Sequence, residues 1–418
     1  MADPVTGFQQ TQSGLSCDGV ALREIAAAVG TPAYVYSAAT IDERYRRLDA
    51  AYAGYPHRLH YAIKANATGG VVRRLRQLGA AADANSGGEI EVALRAGFAP
   101  REIVFTGVGK TRRELERAVA LDVAAINAES PGEVDRIEAI ARARSRRARV
   151  AVRINPDVDA LSHPHISTGL RATKFGMSVD DARLMVLDMA RRPDLSVVGL
   201  HVHVGSQITS VGPLERAADA VASLARELIR AGVRLEHLDL GGGLGIAYEP
   251  DQPVVTMEEY AEAVLPAVRS TGLTLVLEPG RAIVGPAGVL VTEVVDLKRK
   301  PDGGWFVVTD AGMTDLLRPA LYGAWHAIEP VCPRPGGLWR VDVVGPVCET
   351  SDTLGADREL PPVDVGDLLA VRDAGAYGAV MASNYNRRPM AAEALVSDGA
   401  WRVVRRRQSV DDMLMWDE

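Results

Sequence analysis

The 418-residue chain is poor in cysteine, has no long apolar run and carries no excess of positive charge. Each shortage closes off a class of protein. Cys17, Cys332 and Cys348 are odd in number and lack metal-site spacing, so neither a disulfide framework nor a zinc cluster is expected. The compartment this implies is a reducing cytoplasm. No apolar stretch is long enough to span a bilayer, and Met1 to Gln12 shows no basic-then-apolar leader pattern. A formal charge of −7 argues against nucleic acid or anionic membranes as partners. No early strand–turn–helix unit carries G-x-G-x-x-G, which disfavours a dinucleotide fold. Internal repeats and low-complexity segments are absent too. The basic cluster at 144–149 reads as a solvated helix end.

What is there is a globular composition, 47% hydrophobic and 24% charged, over a length that suggests two or three domains. Short apolar runs fall at 59–63, 80–84, 103–106, 124–127, 149–154, 197–204, 237–240 and 273–278. Amphipathic helical stretches fall between them, at 69–78, 89–96, 111–121, 131–143, 180–191 and 212–231. Eight strand–helix units predict an α/β fold, a closed parallel (β/α)8 barrel over 31–281, with its chemistry at the carboxyl ends of the strands. Past residue 282, runs at 287–298, 304–309, 338–344 and 367–372 are separated by Gly- and Pro-rich turns. They predict a C-terminal β-rich domain, a β-barrel or sandwich, over 282–418. Residues 1–30 are poorly patterned and are expected to pack with that domain.

Nearly every unusual residue of the first unit sits just after a strand. Lys64, in His60-Tyr61-Ala62-Ile63-Lys64-Ala65-Asn66, ends an apolar segment among small residues. A lysine there can face a cavity with a lowered pKa and attack an aldehyde, although most lysines at strand ends are plain surface residues. Asp83 ends the next strand, where Asn85 or Ser86 would also cap a helix. His201 and His203 share one face of a strand. They suit either a metal site of the H-x-H kind, which would need further ligands, or a histidine stacked on a flat ring with Ser206 nearby. Gly241-Gly242-Gly243 can cradle a phosphate or make an ordinary tight turn. Glu278-Pro279-Gly280-Arg281 ends the last strand with a carboxylate able to hydrogen-bond a protonated ring nitrogen, or to make a structural salt bridge. In the second unit, Cys348 and Glu349 lie in an acidic loop, Arg318 can pair with a carboxylate, and Tyr322, Tyr377 and Tyr385 add hydroxyls.

In one order, YAIKAN, HVHVGSQ, the triple glycine, EPGR, CETSD at 348–352 and GAYG at 375–378 resemble the fold-type III, pyridoxal-phosphate-dependent amino-acid decarboxylases. The resemblance covers roughly residues 30–396. It implies that Lys64 carries pyridoxal 5'-phosphate as a Schiff base, that His203 stacks on the ring, and that Glu278 meets the ring nitrogen. Ser206, Gly242, Gly243, Pro279, Gly280 and Arg281 would hold the phosphate, with Asp83 reaching the same site. Arg281, Arg318 and Tyr322 would bind the carboxylate the substrate keeps. Glu349 would bind a distal ammonium, Tyr377 would touch cofactor and substrate, and Cys348 would donate a proton. The cysteine and its acidic neighbour would enter the partner subunit's site, which implies a homodimer with two shared sites. Thr350-Ser351 departs from the Ser-Gly of many relatives.

Residues 165–169 (HISTG) with Lys174-Phe175-Gly176, RPALYGAWH at 318–326 and SNYNRRP at 383–389 resemble the members acting on meso-2,6-diaminopimelate. The implied product is L-lysine, with carbon dioxide, in the last step of lysine biosynthesis. The alternatives are a paralogue acting on ornithine, arginine, carboxynorspermidine or a carrier-linked amino acid, a non-catalytic regulatory homologue, and the metal hydrolase.

Overall fold

The computed structural model describes residues 7–159, 173–415 and 417. Its central feature is a ring of eight parallel strands: His57–Ala62, Ala81–Ala84, Ile103–Phe105, Ala125–Ala128, Ala148–Asn155, Leu195–Val202, His237–Asp239 and Thr274–Leu277. Each pairs with the next, and the eighth pairs with the first, so the barrel is closed. All eight expected strands form, with ends moved by a residue or two.

The lumen is filled in layers because side chains two apart on a strand share a face. Val104, Ala125, Ala151 and Val198 make a small apolar plug. Two residues further along, Thr106, Asn127 and Arg153 form part of a buried polar layer that also holds Asp83, His201, Asp239 and Glu278. Alanines below leave room for chemistry above. Outside, helices seal the barrel with apolar stripes. Helix Pro131–Ala143, for instance, buries Val134, Ile137, Ile140 and Ala141, and Ser130 caps its start by accepting the Glu133 N–H.

The second sheet runs in the order Thr353–Leu360, Trp339–Val344, Trp305–Thr309, Gly288–Arg299, Ala33–Ser37, Ala392–Ser397 and Ala400–Arg405. One member is a departure from expectation. Ala33–Ser37 falls within the stretch assigned to the barrel, yet it pairs antiparallel with Gly288–Arg299 and parallel with Ala392–Ser397. All five of its residues are buried, so it reads as an apolar run that would suit either sheet. Long-range pairing alone decides its place.

The N-terminal stretch forms a three-stranded antiparallel sheet, Phe8–Thr11, Gly14–Cys17 and Val20–Ala21. Phe8, Leu15, Val20 and Ile25 pack with Val35, Val289, Ala394 and Val396 of the second sheet. No helix among the described residues is long and apolar enough to cross a membrane.

Candidate active site

The carboxyl ends of the barrel strands surround a cavity. Lys64, His203, Ser206, Gly241, Gly242, Gly243, Glu278, Pro279, Gly280, Arg281 and Tyr377 all line it. Lys64 sits in a one-turn 3-10 segment, Ile63–Ala65, where the first strand ends. Its Nζ donates to Asp83 Oδ2 at 3.3 Å. Burial opposes the charged amine, but the Asp83 and Glu278 carboxylates outweigh burial and hold the ammonium above the usual lysine range. This corrects the lowered pKa expected of Lys64: desolvation by itself lowers it, and two neighbouring anions reverse the sign.

Glu278 follows the eighth strand. Its Oε1 accepts from Thr106 Oγ1 and its Oε2 bonds His201 Nε2, both at 3.3 Å. Burial works against its anion, yet His201 and Lys64 hold the carboxyl well below the usual range. Burial and the Glu278 charge push Asp83 the other way, upward. His203 Nδ1 accepts the N–H of Gly242 at 3.1 Å. Burial and the Lys64 charge keep its pKa well below that of free imidazole. The ring thus presents an uncharged face to the cavity. His201 and His203 turn to different protein partners, His201 to the Glu278 carboxylate and His203 to the Gly242 N–H.

The glycines are required by space. A Cβ on Gly242 would stand 2.3 Å from the Glu278 carbonyl oxygen, and one on Gly243 would stand 2.6 Å from the Gly205 oxygen. Gly243 also has φ of +113°, a conformation that side chains rarely adopt. Backbone N–H groups, the Ser206 hydroxyl and the Arg281 guanidinium together make a donor-rich rim suited to a phosphate.

Arg281 donates to Tyr248 Oη and to Ser206 Oγ, the latter at 3.1 Å, and its guanidinium lies 4.8 Å from the Tyr377 ring centroid. The Arg318 guanidinium lies 4.4 Å from the Tyr248 ring centroid, and it donates to His326 Nε2 at 2.6 Å. His326 Nδ1 in turn bonds the Arg372 carbonyl at 2.7 Å, which fixes the hydrogen on Nδ1 and leaves Nε2 to accept. Both arginines are buried, both leave Nε unpartnered, and neither bonds a carboxylate among the described residues. Tyr322 lies close enough to act on the charge of both.

The loop around Tyr377 closes the cavity from the second sheet. Tyr377 N donates to the Ala65 carbonyl at 2.8 Å, and Asn66 Nδ2 to that of Gly375 at 3.0 Å. Arg318, Tyr322 and Asp83 stand behind this lining. Cys348 and Glu349 are not part of it. Both are exposed, and Tyr385 Oη donates to Glu349 Oε1 at 2.9 Å. The run 165–169 lies outside the described residues. Sequence reasoning missed Tyr248, His326, Asp239 and Thr106. His326 stands inside a quoted motif and Asp239 directly before the glycines, so position after a strand was an available signal for Asp239. Nothing local marks Tyr248.

This arrangement, a lysine and a carboxylate facing one cavity under a glycine rim at the carboxyl mouth of a barrel, defines a class. A family model for the pyridoxal-binding domain of pyridoxal-dependent decarboxylases matches residues 38–285, and the chain belongs to that family. The diaminopimelate decarboxylase of Pseudomonas aeruginosa is 46% identical over 97% of each chain. The solved diaminopimelate decarboxylase from Helicobacter pylori, complexed with L-lysine, superposes with a TM-score of 0.91 at 40% identity, over 94% of this chain and 98% of that one. The enzyme from M. jannaschii in co-complex with L-lysine gives 0.94 at 35%, over 99% and 98%. Within the decarboxylases, the chain is a member of the diaminopimelate decarboxylase family.

Proposed function

We propose that the protein removes carbon dioxide from meso-2,6-diaminopimelate to give L-lysine, using pyridoxal 5'-phosphate, as the last step of lysine biosynthesis in the cytoplasm. The observation that carries this reading is the meeting, in one cavity, of Lys64, Glu278 and a glycine rim beside two buried arginines that no carboxylate among the described residues bonds. When bound, the cofactor supplies an electron sink for the pair left by the departing carboxylate.

The chain's own groups divide the remaining work. Lys64 holds the cofactor through its amine, and Asp83 orients that amine. Glu278, kept ionised by His201 and Lys64, accepts the ring nitrogen's hydrogen and holds it there. His203 offers its neutral face to the ring. Ser206 and the backbones of Gly242, Gly243 and Pro279 to Arg281 hold the phosphate. Arg281 and Arg318, with Tyr322, fit the carboxylate that the substrate keeps, since two buried cations gain most from an anion placed between them. Tyr377 spans both ligands. Substrates with a simple amine at that end leave the arginines unneutralised, which disfavours ornithine or arginine.

Cys348 and Glu349 complete the site from a second subunit. They are exposed at the surface of their own chain, so a homodimer would bring a thiol able to protonate the α-carbon and a carboxylate for the distal ammonium. The test of the reading is carbon dioxide release from meso-diaminopimelate, ornithine, arginine and lysine by the purified protein. Turnover confined to diaminopimelate supports it, and turnover confined to another amino acid overturns the substrate. Mixing Lys64→Ala with Cys348→Ala subunits tests the shared site. Recovered activity is expected, and no recovery refutes sharing.

A further inference from the structure

Beneath the cavity, Glu278 shares the barrel lumen with a second acid. Asp239 ends the seventh strand and is fully buried. Asp239, Glu278 and His201 each present a polar atom within 4.8 Å of the other two, and all three are buried. Two bare carboxylates this close, away from water, repel strongly, which favours a hydrogen on one of them. The surrounding donors decide which. Glu278 already receives the Thr106 hydroxyl and His201 Nε2. Since His201 Nδ1 is unpartnered, Nε2 is the nitrogen that donates. Asp239 Oδ1 receives the Gly241 N–H at 2.8 Å. Asp239 Oδ2 is buried and no described group donates to it.

We propose that Asp239 is a positioning residue that stays protonated and donates its hydrogen to the Glu278 carboxylate. Burial beside the Glu278 and Asp83 charges pushes the Asp239 carboxyl well above the usual range, in keeping with this placement. The donated hydrogen has two effects. It fixes the rotation of the Glu278 carboxylate. It also draws charge from that carboxylate and lowers its proton affinity, so a hydrogen shared with a ring nitrogen stays on the nitrogen. The second effect rests on the proposed role of Glu278, whereas the protonation of Asp239 does not.

The test separates the two. In the cofactor-free enzyme at neutral pH, the infrared difference between the parent protein and Asp239→Asn should show the carbonyl band of a neutral carboxylic acid lost from the parent. Absence of that band overturns the proposal, whatever the enzyme's activity. In the loaded enzyme, the Asn amide still offers an N–H to Glu278. Its cofactor affinity should stay within about threefold of the parent, with Asp239→Ala weaker by about 10- to 100-fold. The pH midpoint of the cofactor's absorbance should shift in the Ala variant and recover in the Asn variant. An Asn variant as damaged as Ala refutes donation. If Ala does not fold, the infrared band and the Asn variant still decide the matter.

Discussion

Two regions of this molecule bury positive charge, and they treat it in opposite ways. Around the third to fifth strands of the barrel, Lys110 Nζ donates to Glu133 at 2.8 Å and to the carbonyls of Gly107 and Asn127. Nearby, Arg153 bonds Glu129 at 2.7 Å, and the other Glu129 oxygen accepts the Gly176 N–H. Each cation there has its own carboxylate. At the seam between barrel and second sheet, Arg281 and Arg318 have only tyrosine, serine and histidine as side-chain hydrogen-bond partners among the described residues. A buried charge is costly to leave unneutralised. The barrel pairs neutralise one another, and in the proposed function the seam keeps its charge for the substrate's carboxylate.

The largest effect expected from this contrast is on stability. Lys110→Met strands the Glu133 carboxylate in the interior and should cost about 3–5 kcal/mol in urea unfolding. A loss below about 1 kcal/mol would erase the distinction between the two regions. Arg318→Met strands no carboxylate. Its unfolding free energy should hold or rise, while kcat/KM for diaminopimelate falls by about 100-fold. A destabilised variant with intact kinetics would reverse the assignment. Tyr248→Phe removes the acceptor of one Arg281 N–H and should raise KM by about tenfold or less, with little change in kcat.

The smallest effect is a pH dependence. Burial and the Arg318 charge push His326 down to about 3. Folding therefore favours its neutral form, because the unfolded ring binds a proton near pH 6.5. Its contribution is whole above pH 6.5 and is lost as pH falls toward 3. Urea unfolding at pH 7, 5.5 and 4 should fall less steeply in His326→Gln than in the parent, and equal slopes would clear His326 of the effect.

The barrel was legible because its strands and helices repeat a simple pattern, and because Lys64, His203, Glu278 and the glycines each follow a strand. The second sheet was less so. Ala33–Ser37, Thr353–Leu360, Ala392–Ser397 and Ala400–Arg405 gave no alternation that separated them from their surroundings. The partners of Ala33–Ser37 lie hundreds of residues away, although Thr353–Leu360 and Ala400–Arg405 pair with near neighbours in sequence. The support of the arginines by Tyr248 and His326 is a side-chain matter that no strand or helix pattern marks. The sign of the Lys64 shift was also out of reach, because it depends on carboxylates 19 and 214 residues further along, brought together only by closure of the ring.

The strand Ala33–Ser37 also sets a timetable. On the ribosome it emerges early, but one neighbour begins at Gly288 and the other ends at Ser397. At ordinary elongation rates the second neighbour follows on the order of tens of seconds later. The eight barrel strands are complete by Leu277, with Lys64 already in place. The wall carrying Tyr377, and the bonds that tie it to Ala65 and Asn66, arrive only with the last tenth of the chain. A nascent chain is therefore a finished barrel with an open site and an unpaired apolar strand. That interval is when it is most exposed to other chains, and an incomplete product would hold a lysine it could not use.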